Sequence, residues 1–284
     1  MTAFFLNDSL NTYSDMTFYK YDGAGNDFVV IDARKQPFGL THESIALLCH
    51  RRRGVGADGL LVLASASDNY DFVMRYYNSD GMPADMCGNG GRCIALFAFL
   101  QGLGHKVGNR WHLCFLADDG PHEAEIVSWN AATATGVVSL SMRDVPKNGI
   151  HETLNGHLLN TGVPHFVSQV EDLMHYDVVG EGRPLRHHPA MGAAGANVDF
   201  VEPLADDTLL VRTYERGVEG ETWACGTGVT ACALVTGRQH IHTLGGDFQV
   251  AYDQTDEAYT NIRLIGPVSY NFKGEWEVKP KDDR

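Results

Sequence analysis

The feature that most restricts this chain is a repetition inside it. Met74-Arg75-Tyr76-Tyr77 followed by Cys87-Gly88-Asn89-Gly90 has a counterpart in Val211-Arg212-Thr213-Tyr214 followed by Cys225-Gly226-Thr227-Gly228. The arginines Arg75 and Arg212 stand 137 residues apart and the cysteines 138. Upstream, Gly25-Asn26-Asp27-Phe28-Val29 lies over Val163-Pro164-His165-Phe166-Val167, again 138 apart at the phenylalanines. A nearly constant offset at three separate places marks a duplication rather than a chance likeness of Gly-rich turns. By length alone, 284 residues allow one large domain or two. The repeat predicts two related lobes with equivalent cysteines.

Short strand-like segments dominate the rest. Residues 17–32 read as two strands joined by a turn at Gly23-Ala24-Gly25. Thr41 and Glu43 open a predicted helix over 41–51, and 60–64 and 72–77 read as strands. Residues 88–101 and 226–237 have the apolar density of buried helices. Strands are predicted within 111–145 and at 158–168, 197–202 and 208–214, and the tail returns to strand. Mixed short strands around two apolar helices predict an α+β fold of two pseudo-symmetric lobes. The expected first lobe covers 16–131 and the second 132–269. A strand at about 270–284 is expected to return to the first lobe. Residues 1–15 read as a polar, poorly ordered extension.

Composition excludes more than it assigns. Acidic residues outnumber basic ones 36 to 22, a net charge of −14, which argues against a nucleic-acid partner. The longest apolar run, Ile94 to Leu100, is far short of the ~20 residues a membrane helix needs. Phe4-Phe5-Leu6 is followed at once by Asn7 and Asp8 and preceded by no basic residue, unlike a secretory signal. The cytosol is the expected compartment, where thiols stay reduced. The six cysteines include no Cys-x-x-Cys pair, so no metal site is expected.

The two Cys-Gly-x-Gly loops carry the chemistry. Each precedes an apolar helix, which places its sulfur at a helix N-terminus. Unpaired N–H groups there favour anions and lower a thiol's pKa. One such loop suits a nucleophile or a carboxylate-binding corner. Two on duplicated lobes suit one small molecule held between Cys87 and Cys225. One thiolate would remove a proton beside a carboxylate and the opposite thiol would return one to the other face. The helix ends would stabilise the charge that develops. Cys49, Cys93, Cys114 and Cys232 are assigned to packing, the commoner role of a cysteine.

With these motifs in view, the chain from Met16 onward resembles the diaminopimelate epimerase family. The likeness is carried by Gly23-Ala24-Gly25-Asn26-Asp27-Phe28, Gly54-Val55-Gly56-Ala57-Asp58-Gly59, Tyr77-Asn78-Ser79-Asp80-Gly81 and Met86-Cys87-Gly88-Asn89-Gly90. It continues through Gly162-Val163-Pro164-His165, Ala196-Asn197-Val198-Asp199-Phe200, Tyr214-Glu215-Arg216-Gly217, Ala224-Cys225-Gly226-Thr227-Gly228 and Gly245-Gly246-Asp247. The resemblance implies lobes that each wrap a mixed sheet or barrel around a central helix, with the active site between them. It implies cofactor-independent (PLP-independent) epimerisation of LL-diaminopimelate to the meso form, serving lysine and peptidoglycan precursor synthesis, by a homodimer. It makes Cys87 and Cys225 the acid/base pair. Gly88, Asn89, Gly226 and Thr227 would hold the reacting carboxylate. Asn26 and Glu215 would lie around the reacting amino group, and Asn78, Asn197 and Arg216 would hold the distal end. His165 would tune one cysteine.

Two positions depart from the family pattern. Val163 stands where Asn is common, and Gly59 where many members have Gln. Val163 offers no side-chain donor to a distal carboxylate. A proline or hydroxyproline racemase-like enzyme of the same fold is the alternative, although a small ring leaves Asn78, Asn197 and Arg216 without a task. A cysteine hydrolase using His165 leaves the second cysteine unexplained, and a non-catalytic binding module ranks last.

Overall fold

The turn at Ala24-Gly25 shows how the local sequence starts the fold. Both residues have positive φ, 60° and 85°, as a two-residue hairpin requires, and they join Asp15–Gly23 to Asn26–Asp32. The computed structural model describes residues 15–36, 38–67, 69–84, 86–205 and 207–277. The extension expected over 1–15 lies outside them except for Asp15, which opens the first strand. The expected returning strand is described only as far as Glu277.

Four α-helices occur among the described residues: α1 (His42–Cys49), α2 (Gly88–Leu100), α3 (Val178–Arg186) and α4 (Gly226–Thr236). Helix α2 is apolar on all sides, so it must be buried on all sides. Eight strands supply that burial. Asp15–Gly23, Asn26–Asp32, Gly59–Ala64, Phe72–Asn78, Arg110–Ala117, Gly120–Asn130 and Thr135–Ser141 pair in that order. The last half of Ala258–Glu277 pairs with both ends and closes the ring. Helix α2 packs against every one of these strands.

The second lobe repeats the plan. Gly156–Asn160, Pro164–Gln169, Asn197–Pro203, Thr208–Glu215, His240–Thr243, Gly246–Gln254 and the first half of Ala258–Glu277 pair in order around α4. Parallel pairs fall at the same two places in both lobes, the second with the third strand and the fourth with the fifth. The stretch 145–153 bridges the ring's edges: Val145 pairs with Tyr259, and His151 with Leu158. Each ring is therefore completed by the chain that runs on from the last strand of the other.

The structure departs from the sequence reading at one boundary and adds one helix. The lobe boundary between 131 and 132 falls inside a hairpin, because Thr135–Ser141 pairs with Gly120–Asn130 and belongs to the first ring. Helix α3 was not predicted. Its Gly180, Gly182 and Pro184 oppose a helix locally, yet Asp177 caps it by accepting from the Gly180 N–H at 2.9 Å. Gly182 is demanded by packing: a Cβ there would lie 2.6 Å from the Tyr214 Cβ. No helix among the described residues is long and apolar enough to cross a membrane.

Candidate active site

Cys87 and Cys225 are the N-cap residues of α2 and α4, both in extended conformation. Their carbonyls accept the first helical N–H groups, Gly91 at 2.7 Å and Val229 at 2.8 Å. The two helix ends meet head to head. A Cβ on Gly226 would lie 3.5 Å from the Gly88 Cα and 2.9 Å from Leu264 Cδ2, so the small residues permit the approach. Both cysteines line one cavity of about 660 Å³ between the lobes.

On the first-lobe side, Asn26 Oδ1 faces the Cys87 sulfur at 3.7 Å and the Asn89 amide nitrogen at 3.4 Å. Asn26 is held by donating to Asp58 at 2.8 Å. Asp58 is fixed in turn by Arg51, which also grips Asp27. Burial alone would raise the Asp27 pKa, but Arg51 and Lys20 hold it down to about 2. Asn89 reaches across the seam and donates to the Ala224 carbonyl at 2.9 Å.

On the second-lobe side, the Cys225 sulfur lies 3.4 Å from the Thr227 hydroxyl, which is 2.9 Å from His165 Nε2. His165 Nδ1 is 2.7 Å from Asp199, and neither side chain is exposed. The Arg216 N–H donates to Asn197 Oδ1 at 2.7 Å, which turns the Asn197 amide nitrogen toward His165 Nε2, 3.2 Å away. That network assigns the ring proton to Nδ1, donating to Asp199, and leaves Nε2 as acceptor. His165 thus stands one hydroxyl away from Cys225. Thr213 donates to the other Asp199 oxygen at 2.7 Å.

The two thiols have different surroundings. Burial pushes Cys87 up and Glu215 adds to this, while the N–H groups of Gly90 and Asn89 and the charge of Arg92 oppose it. Burial also pushes Cys225 up, and both Glu215 and Asp199 add to it, against the Thr227 hydroxyl and the Gly228 N–H. Glu215 itself is raised, first by burial, with Thr222 and His165 offsetting only part.

Asn26, Asn78, Gly88, Asn89, Asn197, Glu215, Arg216, Gly226 and Thr227 all line the cavity, whereas His165 stands behind it. Arg216 makes no salt bridge among the described residues. Val163 also lines the cavity. The neighbouring Thr161 hydroxyl does not replace a missing side-chain donor, because it is committed to the Thr227 carbonyl at 2.9 Å. Gly59 does not line it. A Cβ there would lie 2.6 Å from the ring of Tyr76, which does. Sequence reasoning assigned no role to Asp58, Asp199, Tyr76 or Arg92. The available signal was an acid inside the apolar run Val198-Asp199-Phe200-Val201 and an arginine inside an apolar helix, since buried charges need partners. No group of three or more His, Cys, Asp or Glu among the described residues is placed to hold a metal ion.

Chemically, the site offers two sets of helix-end N–H groups to one anion, with a thiol from each lobe beside it. Residues 18–139 and 157–269 match the family model described as diaminopimelate epimerase. A diaminopimelate epimerase from Flavobacterium psychrophilum is 41% identical over 267 residues, 91% of this chain and 99% of that protein. One from Aquifex aeolicus is 42% identical over 275 residues, 91% and 97% of the two chains. Among solved structures, a hydroxyproline epimerase from Agrobacterium vitis aligns with TM-score 0.69 at 16% identity, covering 95% of each chain. That last likeness is one of fold alone.

Proposed function

The chain belongs to the diaminopimelate epimerase family, and we propose that it interconverts LL- and meso-diaminopimelate with Cys87 and Cys225 as a thiolate/thiol pair. The observation that carries this reading is the pair of N-cap cysteines on two abutting central helices, both opening on one cavity. The α-carboxylate lies against the N–H groups following Gly88 and Gly226. One thiolate takes the α-proton, leaving its electron pair on the α-carbon and delocalised into the carboxylate. The opposite thiol delivers a proton to the other face and becomes the new thiolate. Charge and atoms balance, and the pair titrates as one coupled unit. The fixed N–H groups stabilise the extra negative charge without reorganising.

Asn26 and Glu215 flank the reacting amino group. Arg216, with Asn78 and Asn197, takes the distal carboxylate, for which its planar donors are suited. His165 acts on Cys225 through Thr227: when Cys225 is a thiol its S–H points to the Thr227 oxygen and the Thr227 O–H to Nε2. When Cys225 is a thiolate the Thr227 O–H turns to the sulfur. We place the activity in the cytosol, with no resident cofactor. A proline-type substrate has only the shared fold in its favour.

Conversion of LL-diaminopimelate to the meso isomer, followed by chiral chromatography, tests the reading. Cys87→Ala and Cys225→Ala should each lose at least about a thousandfold in kcat. Near-native turnover by either variant ends the two-base mechanism. Racemisation of proline with no action on diaminopimelate replaces the substrate.

A further inference from the structure

Arg92 is the charge in this molecule that packing does not explain. It lies on α2 inside the seam between the lobes and is completely buried. It makes no salt bridge among the described residues. Its guanidinium donates to the Gly88 carbonyl at 3.2 Å and to Asn89 Oδ1 at 2.9 Å, sits 4.9 Å over the Phe248 ring of the other lobe, and leaves Nε without a partner. Burial lowers its pKa to about 10, which keeps it cationic at neutral pH. An unpaired buried charge is expensive, and an apolar side chain of similar size is usually cheaper. The duplicated lobe shows that the helix does not need it. The equivalent position is Thr230, a neutral residue whose hydroxyl donates to the Gly226 carbonyl at 3.0 Å.

We propose that Arg92 is a positioning residue of the reaction, supplying the fixed positive charge behind the carboxylate cradle and locking the Asn89 amide. The proposal rests on the reading that the helix-end cradle holds a carboxylate. By accepting from Arg92, Asn89 Oδ1 is turned away from the cleft, and its NH₂ is presented to Ala224 and Asn26. With the lock removed, the amide is free to turn its oxygen toward the anion. The charge also makes the lobes unequal. Cys87 faces Arg92 and Cys93 from its own helix, Tyr76 from the adjacent strand and Glu215 from across the cleft. Cys225 faces Glu215, Asp199 and Cys232, with His165 behind Thr227, and among the described residues no arginine or lysine is placed behind it as Arg92 is behind Cys87. Arg92 therefore favours the thiolate at Cys87.

The direct test needs no substrate. In a Cys225→Ala background, the pH midpoint for iodoacetamide alkylation of Cys87 is read by peptide mass spectrometry. Arg92→Met and Arg92→Gln should raise that midpoint by about one pH unit or more, and Arg92→Lys should leave it within about 0.3 unit. In the otherwise native chain, Arg92→Gln should raise KM for LL-diaminopimelate about tenfold and move the acidic limb of kcat/KM upward by the same interval. Arg92→Gln keeps a donor in place, so it reports even if Arg92→Met does not fold. An unchanged midpoint in the neutral variants overturns the proposal, as does an equal shift in Arg92→Lys. Inactivity of the native chain on diaminopimelate would sink the substrate reading and leave the alkylation result standing on its own.

Discussion

Cys87 and Cys225 hold the same place in their lobes and have different neighbours. Cys87 has Asn26 and Arg92 nearby, whereas Cys225 has Thr227, His165 and Asp199. A symmetric duplication has thus become an electrostatically uneven pair, which suits the proposed reaction, in which one proton is shared between two sulfurs. The cysteines were legible from sequence because Cys-Gly-x-Gly recurs at a fixed offset. Asp199 was not, because one acid in a strand carries no spacing signal and its partners lie 34 and 14 residues away, in His165 and Thr213. Asp199→Asn should release the His165 ring from its Nδ1–H orientation. We expect kcat to fall by about ten- to a hundredfold with KM changed less than threefold. Steady-state kinetics checks this, and an unaltered kcat would remove His165 from the relay.

At the scale of elements, the two central helices were predicted almost to the residue, since each is apolar on every face and opens on a glycine. The strand pairings were not, because parallel neighbours such as Asn26–Asp32 and Gly59–Ala64 are separated in sequence by a helix and long connections. Helix α3 escaped for another reason. Its glycines and proline oppose helix formation locally, and tertiary contact with Tyr214 overrides them. Gly182→Ala should lose about 1–3 kcal/mol by overpacking against Tyr214. Urea unfolding should show a lower midpoint, with kcat nearly unchanged because α3 lies outside the cleft. A midpoint equal to that of the native chain would mean that the helix yields without cost.

On the scale of the whole molecule, the lobes are tied together by exchanged chain. The stretch 145–153 bridges the second ring, and the last half of Ala258–Glu277 closes the first. The cores of both rings hold thiols whose pKa is raised first by burial, Cys93 and Cys232 behind the cleft, and Cys49, in the separate core between α1 and the first-lobe strands, is pushed up to about 12. Such groups stay protonated when folded and ionise near their ordinary value when unfolded. Their stabilising effect is complete below about pH 9 and is lost as pH rises toward the folded values. The unfolding temperature should therefore fall steadily above about pH 9, and Cys232→Ala should flatten that slope while lowering stability at pH 7. Calorimetry across pH 7 to about 11 measures both, and a flat profile would contradict the burial of these thiols.

The duplication first seen as a 138-residue offset ends as two thiols on one cavity, and their joint action is most directly tested by hydrogen exchange with solvent. LL-diaminopimelate is converted in deuterium oxide, and substrate and product are analysed separately at low conversion. The expected result is meso product carrying one deuterium at the inverted carbon, while unreacted LL substrate keeps its hydrogen. Return of the substrate's own hydrogen to the product would show one base acting on both faces, and would contradict the two-thiol account.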